Sequence, residues 1–509
     1  MMPCSFLSAS PSSSFLLHTP IASFSLRRNP NPFANYIHSP KAVLSSLNFN
    51  ASGAQFLLSR RFVGNPLKVS FKCFSREPSS TEQEAQQQVQ PTEAEDERYE
   101  FERLFSNLNQ ATLKREPGSL SSAIFLVAGT TIGAGILAIP AVTQESGFIA
   151  SALICILCWI FMVVTGLLIA EVNVNTMCEL GSGGVSLVSM AKRTLGNAGV
   201  QVACWCYIFI HYALLVAYVA RSSEILTSFF SIPSWETGTL FSLLFGGLCY
   251  FGSQRVIGAV NGVLVFGIIT SFAALVLVAS GDIHLDALLK ANLAAAPHSI
   301  PIIALSFVYQ NVVPVLCTNL EGDLSKVRTA IVLGTAIPLA LFLVWNAVIL
   351  GFITTPDMGS GPFVDPLQQL REASGVVGPI VDVFSVLAIA TSYIGFVLGL
   401  ADFLADFFKL PSGQNRPLPY LLTLFPPLIL SLLDPEIFFK ALDFAGTYGV
   451  LVLFGVVPGA MAWSDRYSES SDSPKIPALV PGGKFALALV MGGAGLVILT
   501  QLLENYIHA

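Results

Sequence analysis

Gly129-Thr130-Thr131-Ile132-Gly133-Ala134-Gly135 interrupts the first long apolar stretch of the chain, which runs from about residue 120 to 143. Three glycines and two adjacent threonines are poor material for a plain spanning helix and suit a helix that opens. In hydrocarbon an open turn survives only where protein buries it or a cavity is lined by it, because its N–H and C=O groups find no water. The N-terminal end of the half-helix that follows carries partial positive charge, so a carboxylate is the natural guest. The competing account is packing, in which the glycines only bring neighbouring helices close.

Outward from this stretch, the chain is 53% hydrophobic and 11% charged over 509 residues, with a mean hydropathy of +0.67. That is too apolar for an ordinary soluble protein and predicts an all-α polytopic membrane protein. We expect eleven spanning segments, at about 120–143, 148–174, 198–229, 239–251, 256–280, 300–319, 330–354, 379–408, 419–433, 439–463 and 485–503. Segments 4 and 9 are short, segments 3 and 8 are long, and long connections follow segments 2 (175–197) and 7 (355–378). Each pair is five segments apart. Segment 6, the counterpart of the broken segment 1, carries Tyr309-Gln310-Asn311 and Pro314 in mid-span. Paired interruptions in corresponding positions of two halves point to a transport site, and an odd period of five makes the second half inverted.

The distribution of Lys and Arg sets the orientation. With the N-terminus inside, that side collects twelve basic residues and the other four, Arg221, Lys290, Arg371 and Lys440. Residues 1–76 contain no Asp or Glu but fifteen serines and eight Lys or Arg, the composition of an organelle import leader. The first arginine is Arg27, which favours a plastid over a mitochondrion. We expect a chloroplast transit peptide over 1–75, an acidic, Gln-rich stromal tail over 76–118 that cannot bury a core, and a transporter domain over 119–505. Within it, repeat one covers 120–280, repeat two 300–463 and an extra helix 485–503. The expected location is the inner envelope membrane, with the N-terminus in the stroma.

Three blocks then carry a family resemblance: GTTIGAGILAIP at 129–140, VPVLCTNLEGDLSKVRTAIVLGTAIPLALFLVWNAVILG at 313–351 and ATSYIGFVLGLADFLADFF at 390–408. Together they resemble the aromatic amino acid permeases, the tryptophan/tyrosine transporters of bacteria and their plastid relatives, over residues 120–503. The resemblance implies a LeuT-like five-plus-five inverted repeat with one extra helix, and proton-driven import of tyrosine, tryptophan or phenylalanine. The chain departs from the bacterial pattern in the second break, where SFVYQNVVP (306–314) places Tyr309, Gln310 and Asn311 against small or histidine residues.

The expected substrate site joins Gly129, Thr130, Thr131, Ile132, Gly133, Ala134 and Gly135 to Phe307, Tyr309, Gln310 and Asn311. Backbone amides of the first break would hold the carboxylate and the second break the ammonium. Candidates for ion coupling are Thr391 and Ser392 in segment 8, His211 in segment 3, Glu171 closing segment 2 and Asp382 in segment 8. Each also has a structural reading: hydroxyls bond back to the preceding turn, a helix histidine packs, and carboxylates pair near helix ends. Cys155 and Cys158 have metal-site spacing but sit in mid-helix without a second pair, so they read as buried hydrophobes. Asp402 and Asp406 have the spacing of a magnesium-diphosphate pair in a membrane prenyltransferase, but no second aspartate cluster faces them. An uncoupled facilitator or channel is the nearer rival. No cofactor or metal is implied; the expected partners are an amino acid, protons and the lipid bilayer, with no nucleic acid, and the sequence sets no oligomeric state.

Overall fold

The computed structural model describes residues 119–180, 185–279, 284–352, 377–410, 417–468 and 476–508. The expected leader, the acidic tail and most of the connection at 355–378 lie outside them. The regular elements among the described residues are all helices, and each of the eleven apolar segments corresponds to a helix or a broken helix. Eight are long and apolar enough to cross a membrane, and the bent pair of segment 1 makes a ninth when taken as one span. Segment 4 (Ser234–Phe251), which opens on polar Ser234 and Glu236, and the 17-residue segment 9 (Pro417–Leu433) stand outside that set.

The two interruptions read from the sequence are where the helices break. Segment 1 runs as Leu120–Thr131, turns by 55° over residues 132–134, and resumes as Gly135–Thr143. Segment 6 runs as Ile300–Ser306, opens, makes a short 3-10 turn at Gln310–Val312, and resumes as Val313–Asn319. Pro314 stands in the first turn of the resumed half, where its missing N–H costs nothing. Breaks in segments 1 and 6, five apart, are the repeat that the sequence predicts, and the fold is LeuT-like.

Two regions differ from expectation. Segment 3 begins at Leu187, well before residue 198, because Ser186 and Ser189 form a reciprocal N-terminal cap. Gly196, with φ +67°, then joins this leading helix to the spanning one, so much of the expected connection at 175–197 is helical. Segment 10 is not a uniform α-helix either. Between Phe438–Phe444 and Val457–Tyr467 its middle, Ala445–Val456, is wound as a π-helix, a form usually confined to single turns at functional positions. Gly446 lets this stretch lie on segment 6, since a Cβ there would stand 2.3 Å from the Pro301 carbonyl oxygen.

Candidate functional site

In segment 1 the helix ends because Ile132 turns to an extended conformation (φ −78°, ψ 103°) after its N–H closes the last turn on the Ala128 carbonyl at 3.0 Å. The Thr130 and Thr131 hydroxyls donate to the Leu126 and Val127 carbonyls at 2.7 and 2.8 Å. Both hydroxyls bond back to the preceding turn of their own helix rather than projecting toward a ligand. The Ala134 N–H donates to Ser392 Oγ of segment 8 at 3.0 Å. Of the backbone amides of the first break, residues 132–135, those of Ile132 and Ala134 are therefore engaged. Those of Gly133 and Gly135 have no acceptor among the described residues.

Packing explains two of the three glycines in this turn. A Cβ on Gly133 would stand 2.8 Å from Ser392 Oγ, and one on Gly135 would stand 3.0 Å from Ser306 Cα. The first is a contact with the tip of a side chain and the second a contact with backbone. Gly135 thus holds the opened end of segment 1 against the last residue before the opening of segment 6. Gly129 has nothing within 4 Å of such a Cβ.

Segment 6 opens at Phe307, which is fully buried and packs its ring on Phe342 of segment 7 at 5.0 Å. Tyr309 turns away from segment 1. Its hydroxyl donates to the Met162 carbonyl of segment 2 at 3.0 Å, and its ring fills the space above Gly166, where a Cβ would lie 2.0 Å from the hydroxyl oxygen. Gln310 follows it, reaching Thr165 Oγ1 at 3.2 Å while its own Oε1 accepts the Tyr309 N–H at 3.0 Å. Both side chains anchor the break to segment 2. Asn311 differs: it is half-buried, and its Oδ1 has no partner. It is the side chain of the second break with an acceptor to offer.

The coupling candidates separate in the same way. Ser392 touches segment 1 directly and is also hydrogen-bonded to the Tyr218 hydroxyl of segment 3. Thr391 donates back to the Ala388 carbonyl at 3.0 Å. His211 donates from Nδ1 to the Tyr207 carbonyl at 2.8 Å and lies between the Tyr207 and Phe396 rings, at 3.8 and 4.8 Å. Asp382 is buried in the first turns of segment 8.

Glu171 belongs to a polar network far from the breaks in sequence. Arg466, from segment 10, donates to both of its oxygens, at 2.6 and 2.8 Å, and the Leu479 N–H adds a third bond at 2.8 Å. Beside it, Asp465 accepts from Arg193 at 2.5 Å and from Asn175 at 2.6 Å. A carboxylate this well paired is the expected state of a buried charge with a structural role. Sequence reasoning missed Arg466, Asp465 and Arg193 because the Glu171–Arg466 and Arg193–Asp465 pairs join residues 295 and 272 positions apart. It also missed Ser306 and Gly166, which read only as small residues in apolar helices. Cys155 and Cys158 are buried free thiols, and among the described residues no three His, Cys, Asp or Glu side chains gather as metal ligands.

Two interrupted helices in contact at the opened turns, inside an all-helical membrane bundle, define a membrane transporter of the LeuT-like class. The family model of the tryptophan/tyrosine permeases matches residues 116–501, and the chain belongs to that family. This is a family of amino acid permeases, not of enzymes. Among its relatives, the tyrosine-specific transport system 2 of Haemophilus influenzae is 31% identical over 72% of this chain and 92% of its own length. The tryptophan-specific transport protein of Shigella flexneri is 30% identical over 73% and 92%, and the glutamine transporter 2 of Aliivibrio fischeri is 25% identical over 75% and 99%. The crystal structure of a manganese transporter mutant from Eremococcus coleocola superposes with a TM-score of 0.50 at 15% identity, over 78% of this chain and 90% of that one. That likeness shows the fold alone.

Proposed function

We propose that this permease is a secondary active transporter that carries tyrosine, with tryptophan or phenylalanine as further substrates, across the plastid inner envelope, coupled to protons. The observation that carries the reading is the contact of Gly135 with Ser306, which brings the two helix openings together in the middle of the bundle. The Gly133 and Gly135 amides, at the start of a half-helix, take the substrate carboxylate. Asn311 Oδ1 and the carbonyls of the second opening take the ammonium, and Phe307 borders the apolar side chain. Tyr309 and Gln310 hold that opening in place from segment 2. Ser392 is the favoured link between coupling and the opened turn, since it binds that turn, but its hydroxyl does not titrate; the proton itself falls to a titratable candidate, His211, Glu171 or Asp382, with Thr391 beside Ser392 as a further hydroxyl.

Eleven crossings, with repeats over 120–280 and 300–463 and an extra helix over 485–503, put the N-terminus in the stroma once a transit peptide over 1–75 is removed. The acid-free leader and the twelve-to-four bias of basic residues support this arrangement. Proteoliposome uptake of labelled tyrosine, tryptophan and phenylalanine, with and without a proton uncoupler, tests the function. Accumulation abolished by the uncoupler is expected; equilibration that ignores it would make the chain a facilitator. In intact plastids a tag near Gln86 should be protected, whereas one near Asp357 should be reached once the outer envelope is opened.

A further inference from the structure

Trp345 of segment 7 is fully buried, and its indole Nε1–H has no hydrogen-bond partner. An orphan donor at this depth is costly, and native interiors rarely keep one without use. The next residue shows that local partners do form, since Asn346 accepts from Thr143 Oγ1 at 3.0 Å and donates to Ser151 Oγ at 2.8 Å.

The position of Trp345 relative to the site is set by its neighbours. One helical turn earlier, Phe342 packs on Phe307, the first residue of the segment 6 opening. The indole itself stacks on Phe272 of segment 5 at 5.9 Å and meets the Phe384 ring of segment 8 at 4.7 Å, tilted by 37°. Side chains on a helix lean toward its N-terminus, which tips the indole back toward Phe342 and the opening. Along segment 8, Phe384 precedes Ser392 by eight residues, about 12 Å at 1.5 Å per residue. An extended aromatic amino acid whose carboxylate sits beside Ser392 covers that order of distance. A wall of rings therefore leads from the opening to an unused donor. Ser385 Oγ, also buried and without a partner, lies at the same level of segment 8.

We propose that Trp345 is a specificity-determining residue whose indole N–H donates to the hydroxyl oxygen of a tyrosine substrate. The proposal rests on the head-group site placed above. It separates the aromatic amino acids by chemistry. Tyrosine offers an acceptor at the tip of its ring; phenylalanine offers none, and the indole of tryptophan presents another donor. A buried donor left unpaired by the wrong substrate discriminates far better than a difference in apolar volume.

The test uses the full mature chain in proteoliposomes, with phenylalanine and tryptophan competing against labelled tyrosine uptake, for wild type and Trp345→Phe. Wild type should prefer tyrosine over phenylalanine by at least about tenfold. Trp345→Phe should bring that ratio close to unity while phenylalanine uptake persists, and Trp345→His, which keeps a ring N–H, should restore part of it. Equal potency of tyrosine and phenylalanine on wild type overturns the proposal without any variant. So does a variant in which both substrates fall together. A chain that carries no aromatic amino acid at all would instead defeat the function proposed above.

Discussion

The Ala134 N–H and the Ser392 hydroxyl meet at 3.0 Å across 258 residues of chain, tying the opened turn of segment 1 to the middle of segment 8. Segment 1 cannot move off segment 8 without losing this bond. The same hydroxyl oxygen is the atom that a Cβ on Gly133 would crowd at 2.8 Å. One side chain therefore both caps the turn and sets how close segment 8 approaches it.

This shared atom predicts a coupling with a definite sign. Ser392→Ala leaves the Ala134 amide unpaired and should cost about 1–3 kcal/mol. Gly133→Ala forces the hydroxyl aside and should also destabilise. Combined, the two should cost less than their sum, because the hydroxyl that the new methyl crowds is gone. Thermal unfolding of the detergent-solubilised variants measures the cycle; strict additivity would mean that residue 133 and Ser392 do not share this contact.

At Gly135 the obstacle is the Ser306 backbone, which has no alternative rotamer to adopt. Gly135→Ala should separate the two openings, costing about 1–3 kcal/mol as overpacking and lowering uptake of every amino acid alike. Gly129→Ala, with open space around it, should leave both stability and uptake near wild type. Equal effects of the two substitutions in uptake assays would remove the contact from the account.

Tyr309 was expected to border the substrate, and the structure gives it a different task. Tyr309→Ala empties a fully buried site against Gly166 and should cost about 3–5 kcal/mol, with selectivity unchanged in whatever protein folds. Tyr309→Phe loses only the bond to Met162 and should cost about 0.5–1.5 kcal/mol. A shift in substrate preference at full stability, read from a panel of competing amino acids, would return Tyr309 to the binding site.

Removing Arg466 strands the Glu171 carboxylate in a buried place. Arg466→Met should therefore destabilise by about 3–5 kcal/mol. Adding Glu171→Gln removes the stranded charge, keeps an acceptor for the Leu479 N–H, and should recover a large part of that loss. Heat-induced loss of monodispersity compares the variants. If the double variant is no better than Arg466→Met, the ion pair is not what Arg466 contributes.

What the sequence made legible is what hydropathy and backbone chemistry encode locally. The apolar segments were readable because each must satisfy its own backbone in lipid. The two breaks were readable because Gly133, Gly135 and Pro314 are residues with backbone consequences. The direction in which Tyr309 and Gln310 point was not, since it depends on the absence of a side chain at Gly166, 143 positions earlier. The pairing of Glu171 with Arg466 spans 295 residues and leaves no local mark. Nor does the π-helical middle of segment 10, whose residues are ordinary apolar ones until Gly446 is seen against Pro301.

Hydrogen–deuterium exchange on the wild-type protein in the presence and absence of tyrosine tests the head-group site most directly. The Gly133 and Gly135 amides have no acceptor among the described residues and should exchange readily in the substrate-free protein. Tyrosine should slow exchange in peptides covering residues 132–136 and 307–312 together. Unchanged exchange in both stretches, with protection appearing elsewhere in the bundle, would contradict the account.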